Sequence, residues 1–312
     1  MLCVNMSHAV EFIGVAKTFG AYRAVDSLNL AVPTGSIYGF IGPNGSGKTT
    51  SLRMITRIYA PDSGVVRVLG TDQHAACDDR VGYLPEESGI YTTMKVGELL
   101  SFYARLKGHS PSRSQLESWL ERIELPGVLA RRVQTLSKGQ QQKIKFLAVV
   151  IARPQLLLLD EPFSGLDPVN AVVIRSLVQE LRRDGATIIF STHDMRVAEE
   201  LCDFVFMIYR GKKVLDGTLD EIKSVYGQDV IRVRLGQPAV NLAASDLPGV
   251  RQIVDLGNIQ ELRVENSADT QAILRTLLEC NRVEHFERTT PSLQDIFVRI
   301  AAPDREAIAT LG

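Results

Sequence analysis

Over the first seventy residues, apolar side chains recur in short runs broken by Gly and Pro, the pattern of brief strands joined by turns. Val10–Val15 alternates weakly and Ser27–Val32 alternates cleanly, while Pro33-Thr34-Gly35 reads as a turn. Ser36–Ile41 is apolar almost throughout, as a strand buried on both faces would be, and runs into a Gly-rich loop. The period then changes. Leu52, Ile55, Ile58 and Tyr59 recur at three- and four-residue spacing and predict a helix over Thr49–Tyr59. Pro61-Asp62-Ser63-Gly64 closes that helix in a turn, and Val65–Leu69 returns as a strand.

Residues from about Glu86 to Ala152 carry helical spacing in three segments, Val96–Lys107, Ser114–Ile123 and Lys138–Ala152. Strand Leu156–Asp160, helix Val169–Arg183, strand Thr187–Ser191, helix Met195–Cys202 and strand Phe204–Tyr209 follow. A turn at Arg210–Lys213 leads to strand Val214–Asp216. Strands that alternate with helices and are apolar on both faces imply a parallel sheet covered by helices, hence an α/β fold. Near Gly227-Gln228 the character changes. Strands at Val230–Leu235, Gly249–Val254 and Gln260–Val264 precede a helix at Thr270–Cys280, a strand at Val283–Arg288 and a last helix from Ser292 to Ala301. The expected domains are therefore 8–226, with a helical subdomain at about 86–152, and a small α+β domain at 227–312.

Composition adds limits. Among 312 residues, 45% are hydrophobic and 23% charged, near the average of folded globular proteins, so disorder is excluded. Lys+Arg 35 against Asp+Glu 36 leaves a formal net charge of −1, which offers a polyanion nothing, and no nucleic-acid partner is expected. Cys3, Cys77, Cys202 and Cys280 are scattered without a CxxC pair, so reduced thiols are expected and neither zinc nor a disulfide scaffold. The first residues lack the basic and apolar regions of a secretory signal. No apolar run nears the roughly 20 residues that span a bilayer. Any membrane role is expected to come through a partner.

Gly42-Pro43-Asn44-Gly45-Ser46-Gly47-Lys48-Thr49 matches GxxxxGK[ST] between a predicted strand and a predicted helix, the setting of a phosphate loop. Backbone N–H groups there can curl around phosphate oxygens at the positive end of a helix. Lys48 is placed for the β- and γ-phosphates of ATP or GTP, and the Thr49 hydroxyl for Mg²⁺. The strand Leu156–Leu159 delivers Asp160 to the sheet edge, where it can hold Mg²⁺ directly or through water. Glu161, next in sequence, is a carboxylate placed to accept a proton from an attacking water.

Leu136-Ser137-Lys138-Gly139-Gln140 opens the helix that ends near Ala152 and presents a second anion-binding helix terminus. With the two motifs above, it resembles the signature of the ABC ATPase family, usually LSGGQ. The resemblance covers about 225 residues and implies a P-loop NTPase core with an antiparallel β subdomain and a helical subdomain. It also implies ATP and Mg²⁺ as cofactors, and head-to-tail pairing of two ATPase domains, as a homodimer or with a paralogue. Ser137, Gly139 and Gln140 of one copy would then complete the ATP site of the other, which Gly42 to Lys48, Thr49 and Thr50 begin. Ser164-Gly165-Leu166-Asp167 resembles the loop that lies across that seam, and His193, in Ser191-Thr192-His193-Asp194, the histidine that senses the γ-phosphate. Phe19 matches the aromatic that stacks on adenine, with Val25 beside it and Tyr22 a rival for the role. Glu86 stands where the family carries a glutamine, and is expected to keep the metal contact; Lys138 replaces a glycine.

Tyr83-Leu84-Pro85-Glu86-Glu87 and the ending Thr289–Ile300 resemble the ABC-2 type exporter branch, whose ATPase subunits carry an accessory C-terminal domain. That resemblance implies an ATP-hydrolysing subunit at the cytoplasmic face of the cell membrane, working on separate polytopic permease subunits. For the C-terminal domain, a dimerisation role and a plain folded extension stay equally open. The alternative is an ABC ATPase acting on ribosomes or DNA, but this chain shows one cassette, no coiled-coil insertion and no basic excess.

Overall fold

A computed structural model of the chain describes residues 7–72, 79–87, 89–226, 230–236, 243–255, 257–265, 268–289, 291–298 and 300. Cys3, Cys77, the Gly227-Gln228 junction and Ala301 lie outside the described residues. Contacts divide the chain into two compact units, Met1–Thr218 and Leu219–Gly312.

The first unit begins with β1 (His8–Phe19), β2 (Tyr22–Pro33), β3 (Ile37–Ile41) and α1 (Lys48–Ile55), followed by β4 (Ser63–Val68), β5 (Thr71–Asp72) and β6 (Val81–Leu84). Three helices come next, α2 (Val96–Leu106), α3 (Arg113–Arg122) and α4 (Lys138–Val150). The unit closes with β7 (Leu156–Asp160), α5 (Pro168–Arg183), β8 (Thr187–Thr192), α6 (Met195–Leu201), β9 (Phe204–Tyr209) and β10 (Lys212–Gly217). β1 and β2 are longer than the expected strands. Their ladder is broken by register shifts, one between Phe12 and Val15, so the period of two breaks and alternation is visible only in pieces. Helix α1 stops at Ile55, short of Tyr59, where Arg57 turns left-handed at φ 62°.

Two sheets form this unit. The order β2-β1-β4-β5 is antiparallel, and the order β10-β9-β3-β8-β7-β6 is parallel except for the β9–β10 edge pair. The expected α/β core with an antiparallel β subdomain and a helical subdomain is thereby borne out. Continuous apolar strands reflect two cores, one on each face. Leu157 and Leu159 pack into a core with α2, α4 and α5, whereas Leu156 and Leu158 pack into a core with β1, β2 and α1. In the helical subdomain, Ser112 caps α3, accepting from the Gln115 N–H at 3.3 Å. The buried Lys143 of α4 donates to the Ile123 carbonyl at 3.0 Å, so its charge is not left without a partner.

The second unit opens with α7 (Leu219–Tyr226), a helix outside the predicted elements. It continues with β11 (Val230–Leu235), β12 (Val250–Asp255), β13 (Gln260–Val264), α8 (Thr270–Cys280) and β14 (Val283–Thr289), and residues 293–298 are helical. The antiparallel sheet order is β12-β13-β11-β14, and Ile273 and Leu277 of α8 share a core with Ile231, Val233, Leu262 and Val264. The expected α+β character follows. No helix among the described residues is long and apolar enough to cross a membrane.

Leu158→Ala would empty a fully buried site in the central sheet. A loss of about 2–5 kcal/mol is expected, read as a lower denaturant midpoint with the slope unchanged.

Candidate nucleotide-binding and catalytic site

The sheet gathers its chemistry at one edge, the C-terminal ends of the parallel strands, where α/β folds bind ligands. β3 ends in the Gly42–Thr49 loop, β7 in Asp160 and Glu161, β8 in Ser191 to His193, and β6 in the run to Glu86. Glycine is required within the loop. A Cβ at Gly42 would stand 2.2 Å from the Ile208 carbonyl oxygen, and one at Gly47 would stand 2.5 Å from that of Ala24. Both residues also lie at positive φ, 151° and 114°.

Lys48 opens α1 with its side chain turned back into the loop, donating to the Gly42 carbonyl at 2.7 Å and to that of Pro43 at 3.2 Å. Its Nζ lies 3.9 Å from Glu161 Oε1. Burial holds the Lys48 ammonium below its ordinary range, opposed by the carboxylates of Glu161, Asp160 and Glu86. Asp160 is 1% exposed. Its Oδ1 accepts from Thr49 Oγ1 at 3.1 Å and from Ser191 Oγ at 2.5 Å, while its Oδ2 is buried without a hydrogen-bond partner.

Glu161 is 8% exposed and occupies the left-handed region at φ 50°, a strained conformation for a side chain of this size. Its N–H is held by the Ser191 carbonyl at 3.2 Å and by Ser191 Oγ at 3.0 Å. Ser191 thus fixes both acidic residues from the neighbouring strand. His193 Nδ1 lies 3.0 Å from Glu161 Oε1, which an ionised carboxylate satisfies when Nδ1 carries the proton. The other ring nitrogen, Nε2, can donate to a phosphate oxygen when it carries a proton as well.

A cavity of about 230 Å³ is lined by the loop from Asn44 to Thr50, with Glu86, Glu161, Tyr22 and Ala24. Glu86 therefore lines the same cavity as Lys48. Tyr22 reaches the loop and donates from its hydroxyl to the Gly45 carbonyl at 2.5 Å. Phe19 lies outside this lining, its ring edge-on to Tyr59 at 5.2 Å, and Val25 is fully buried in the core.

The remaining predicted residues form a second group. Ser137 caps α4, accepting from the Gln140 N–H at 3.2 Å, while the Gln140 side chain accepts from the Ser137 N–H at 3.1 Å. Asp167 caps α5, accepting from the Asn170 N–H at 3.0 Å. The two helix starts adjoin: a Cβ on Gly139 would come within 2.8 Å of Asn170 Nδ2. None of Ser137, Gly139, Gln140 or Asp167 lines the cavity at the phosphate loop. These helix starts thus form a group apart from the cavity at the phosphate loop.

Sequence reasoning missed Ser191 as a site residue. It holds Asp160 because β7 and β8 pair in parallel with Asp160 opposite Ser191, a register that a single sequence does not display.

A phosphate loop, a buried acidic pair and a histidine at one sheet edge define a P-loop ATPase of the ATP-binding cassette type. The family model described as ABC transporter matches residues 25–164, and one described as the C-terminal domain of DrrA1-3-like ATP-binding proteins matches residues 217–301. The chain is 38% identical to the uncharacterised ABC transporter ATP-binding protein YhaQ of Bacillus subtilis, over 91% of this chain and 95% of that one. It is 30% identical to the daunorubicin/doxorubicin resistance ATP-binding protein DrrA of Streptomyces peucetius, over 94% and 92%. It is 31% identical to the Nod factor export ATP-binding protein I of Rhizobium etli, over 96% and 95%. Among solved structures, an ATP-binding subunit of an ABC transporter superposes with a TM-score of 0.65 at 27% identity, over 70% of this chain and 93% of that one. The chain belongs to the family of ABC transporter ATP-binding proteins, and it is an ATPase subunit. Nothing in these matches favours action on ribosomes or DNA.

Gly47→Ala would force a Cβ against the Ala24 carbonyl at a φ that disfavours it. ATP affinity is expected to fall tenfold or more, about 1.4 kcal/mol. Equilibrium titration, with circular dichroism to confirm folding, checks this.

Proposed function

We propose that this chain is the ATP-hydrolysing engine of an exporter, binding Mg²⁺-ATP in two composite sites formed with a second ATPase chain. The observation that carries the catalytic reading is the burial of Lys48, Asp160 and Glu161 together, with His193 touching Glu161. The fit to Mg²⁺ rests on the unpartnered Asp160 Oδ2 beside the Thr49 hydroxyl. No group of three or more His, Cys, Asp or Glu side chains forms a metal cage among the described residues, in keeping with an ion held by one or two protein ligands and by phosphates. Thr49 and Asp160 would hold the ion, with Glu86 facing it. Bound there, Mg²⁺ would neutralise charge on the β- and γ-phosphate oxygens.

The protein's own groups do the rest. Lys48 exchanges its two loop carbonyls for phosphate oxygens. Glu161 accepts the proton of the attacking water, and His193, with a proton on each ring nitrogen, donates from Nε2 to the γ-phosphate and from Nδ1 to that carboxylate. Phe19, or Tyr22 at the loop itself, covers the adenine. The phosphates are met from the other side by Ser137, Gly139 and Gln140 of the second chain, with Asp167 at the seam. Pairing in this way is supported by the separation of the two half-sites within one chain. Hydrolysis removes the γ-phosphate that both partners grip and so releases them.

The partners that turn this motion into transport would be separate polytopic permease subunits, with this chain docked at the cytoplasmic face of the membrane. Export as the direction is supported by the name of the Nod factor export relative, and the drug-resistance name of DrrA with the match of residues 217–301 is in keeping with it. The expected division at 227 stays a proposal, and the match from residue 217 argues for an earlier start.

Glu161→Gln keeps the shape of the site and removes the base. Turnover is expected to fall at least about 100-fold with ATP still bound. Steady-state hydrolysis at the wild-type rate in that variant would contradict the assignment.

A further inference from the structure

Helix α5 passes behind the catalytic residues, and one side chain on it touches the segments that carry both Glu161 and His193. The Arg175 guanidinium carbon lies 5.7 Å from the centre of the Phe163 ring, two residues after Glu161. That ring meets the ring of Phe190 edge-on at 5.7 Å. Phe190 is fully buried on β8, three residues before His193. From the same guanidinium, Nη1 donates to Glu200 Oε2 on α6, the helix that begins just after His193. Arg175 Nε is buried without a hydrogen-bond partner, so the side chain is not placed there to satisfy every donor.

We propose that Arg175 is a positioning residue for the Glu161–His193 pair. Through Phe163 it fixes the turn that leaves Glu161, and through Glu200 it fixes the helix that leaves His193. The 3.0 Å contact between the two catalytic side chains is then held from behind as well as by itself. The turn needs such support. Glu161 sits in a strained left-handed conformation; its N–H is anchored to Ser191, and beyond it the turn is closed by short-range bonds, from the Ser164 N–H to the Glu161 carbonyl at 3.1 Å and from the Leu166 N–H to that of Phe163 at 3.3 Å. The bridge is a poor candidate for bulk stabilisation. Its ion pair is 29% and 58% exposed, where solvent screens most of the attraction. Arginine suits the position because a planar cation can stack on a ring and pair with a carboxylate at once, which lysine cannot do equally well.

This inference rests on the proposed roles of Glu161 and His193. Its test compares the full chain with Arg175→Gln, Arg175→Lys, Glu200→Gln and the Arg175→Gln/Glu200→Gln double variant. Arg175 lies outside the lining of the phosphate cavity, so ATP affinity and KM are expected to stay within about twofold. Misplacement of the water-activating pair is expected to lower kcat roughly tenfold in Arg175→Gln. Arg175→Lys should recover part of that loss, and the double variant should be no worse than Arg175→Gln alone. Amide exchange should quicken over residues 161–167 and 193–201 and stay unchanged over 42–49. A wild-type kcat in Arg175→Gln would overturn the proposal. So would a loss of ATP affinity in proportion to kcat with a lowered unfolding midpoint, the mark of a structural role. Absence of turnover in the unmutated chain would strike the proposed function instead, and the exchange pattern would still decide the role of Arg175.

Discussion

Lys48 carries an ammonium to a place where it is 6% exposed, against carboxylates that are 1% and 8% exposed, and the rest of the site is arranged around keeping those charges in company. A buried charge without partners costs several kcal/mol, so each of the three is held by others. Lys48 rests on two loop carbonyls, Asp160 on two hydroxyls, and Glu161 on His193 and Lys48. Yet the arrangement is incomplete. Asp160 Oδ2 and Ser46 Oγ are buried without partners. In the proposed reading, a triphosphate would supply the acceptor for the Ser46 hydroxyl and its cation the positive partner of Asp160 Oδ2, and electrostatic contacts strengthen where water is excluded.

The fold answers that constraint. A sheet whose strands end together brings Lys48 and His193 to one carboxylate oxygen, that of Glu161, at 3.9 and 3.0 Å, and apolar strands buried on both faces hold that edge. The two cores that receive alternate leucines of β7 also receive α1 on one side and α5 on the other. Helix α5 carries Arg175, and the first turn of α4 adjoins that of α5, outside the lining of the cavity at the phosphate loop.

What was readable in the sequence divides along physical lines. The phosphate loop, Asp160 and Glu161 are contiguous motifs whose chemistry is carried by local backbone geometry, and the structure assembles them where strand and helix periodicity put them. Contacts that depend on register were not readable. Ser191 reaches Asp160 only because β8 pairs with β7 in one of several possible alignments. Tyr22 and Phe19 lie three residues apart at the β1–β2 turn, and their distinct neighbours, Gly45 and Tyr59, depend on packing that no local pattern encodes. The bulges in β1 hid half of its length for the same reason, because one extra residue exchanges the faces of all that follow. Helix α7 is only eight residues long, too short for its period to stand out.

The central claim is that the buried charges exist to hold the triphosphate, and the most direct measurement compares Mg²⁺-ATP with adenosine in equilibrium binding to the full chain. Phosphate contacts from Lys48 and the loop should make ATP bind at least about 100-fold more tightly, near 2.7 kcal/mol. Equal affinities for the two would show that the base alone is recognised, and would contradict the account.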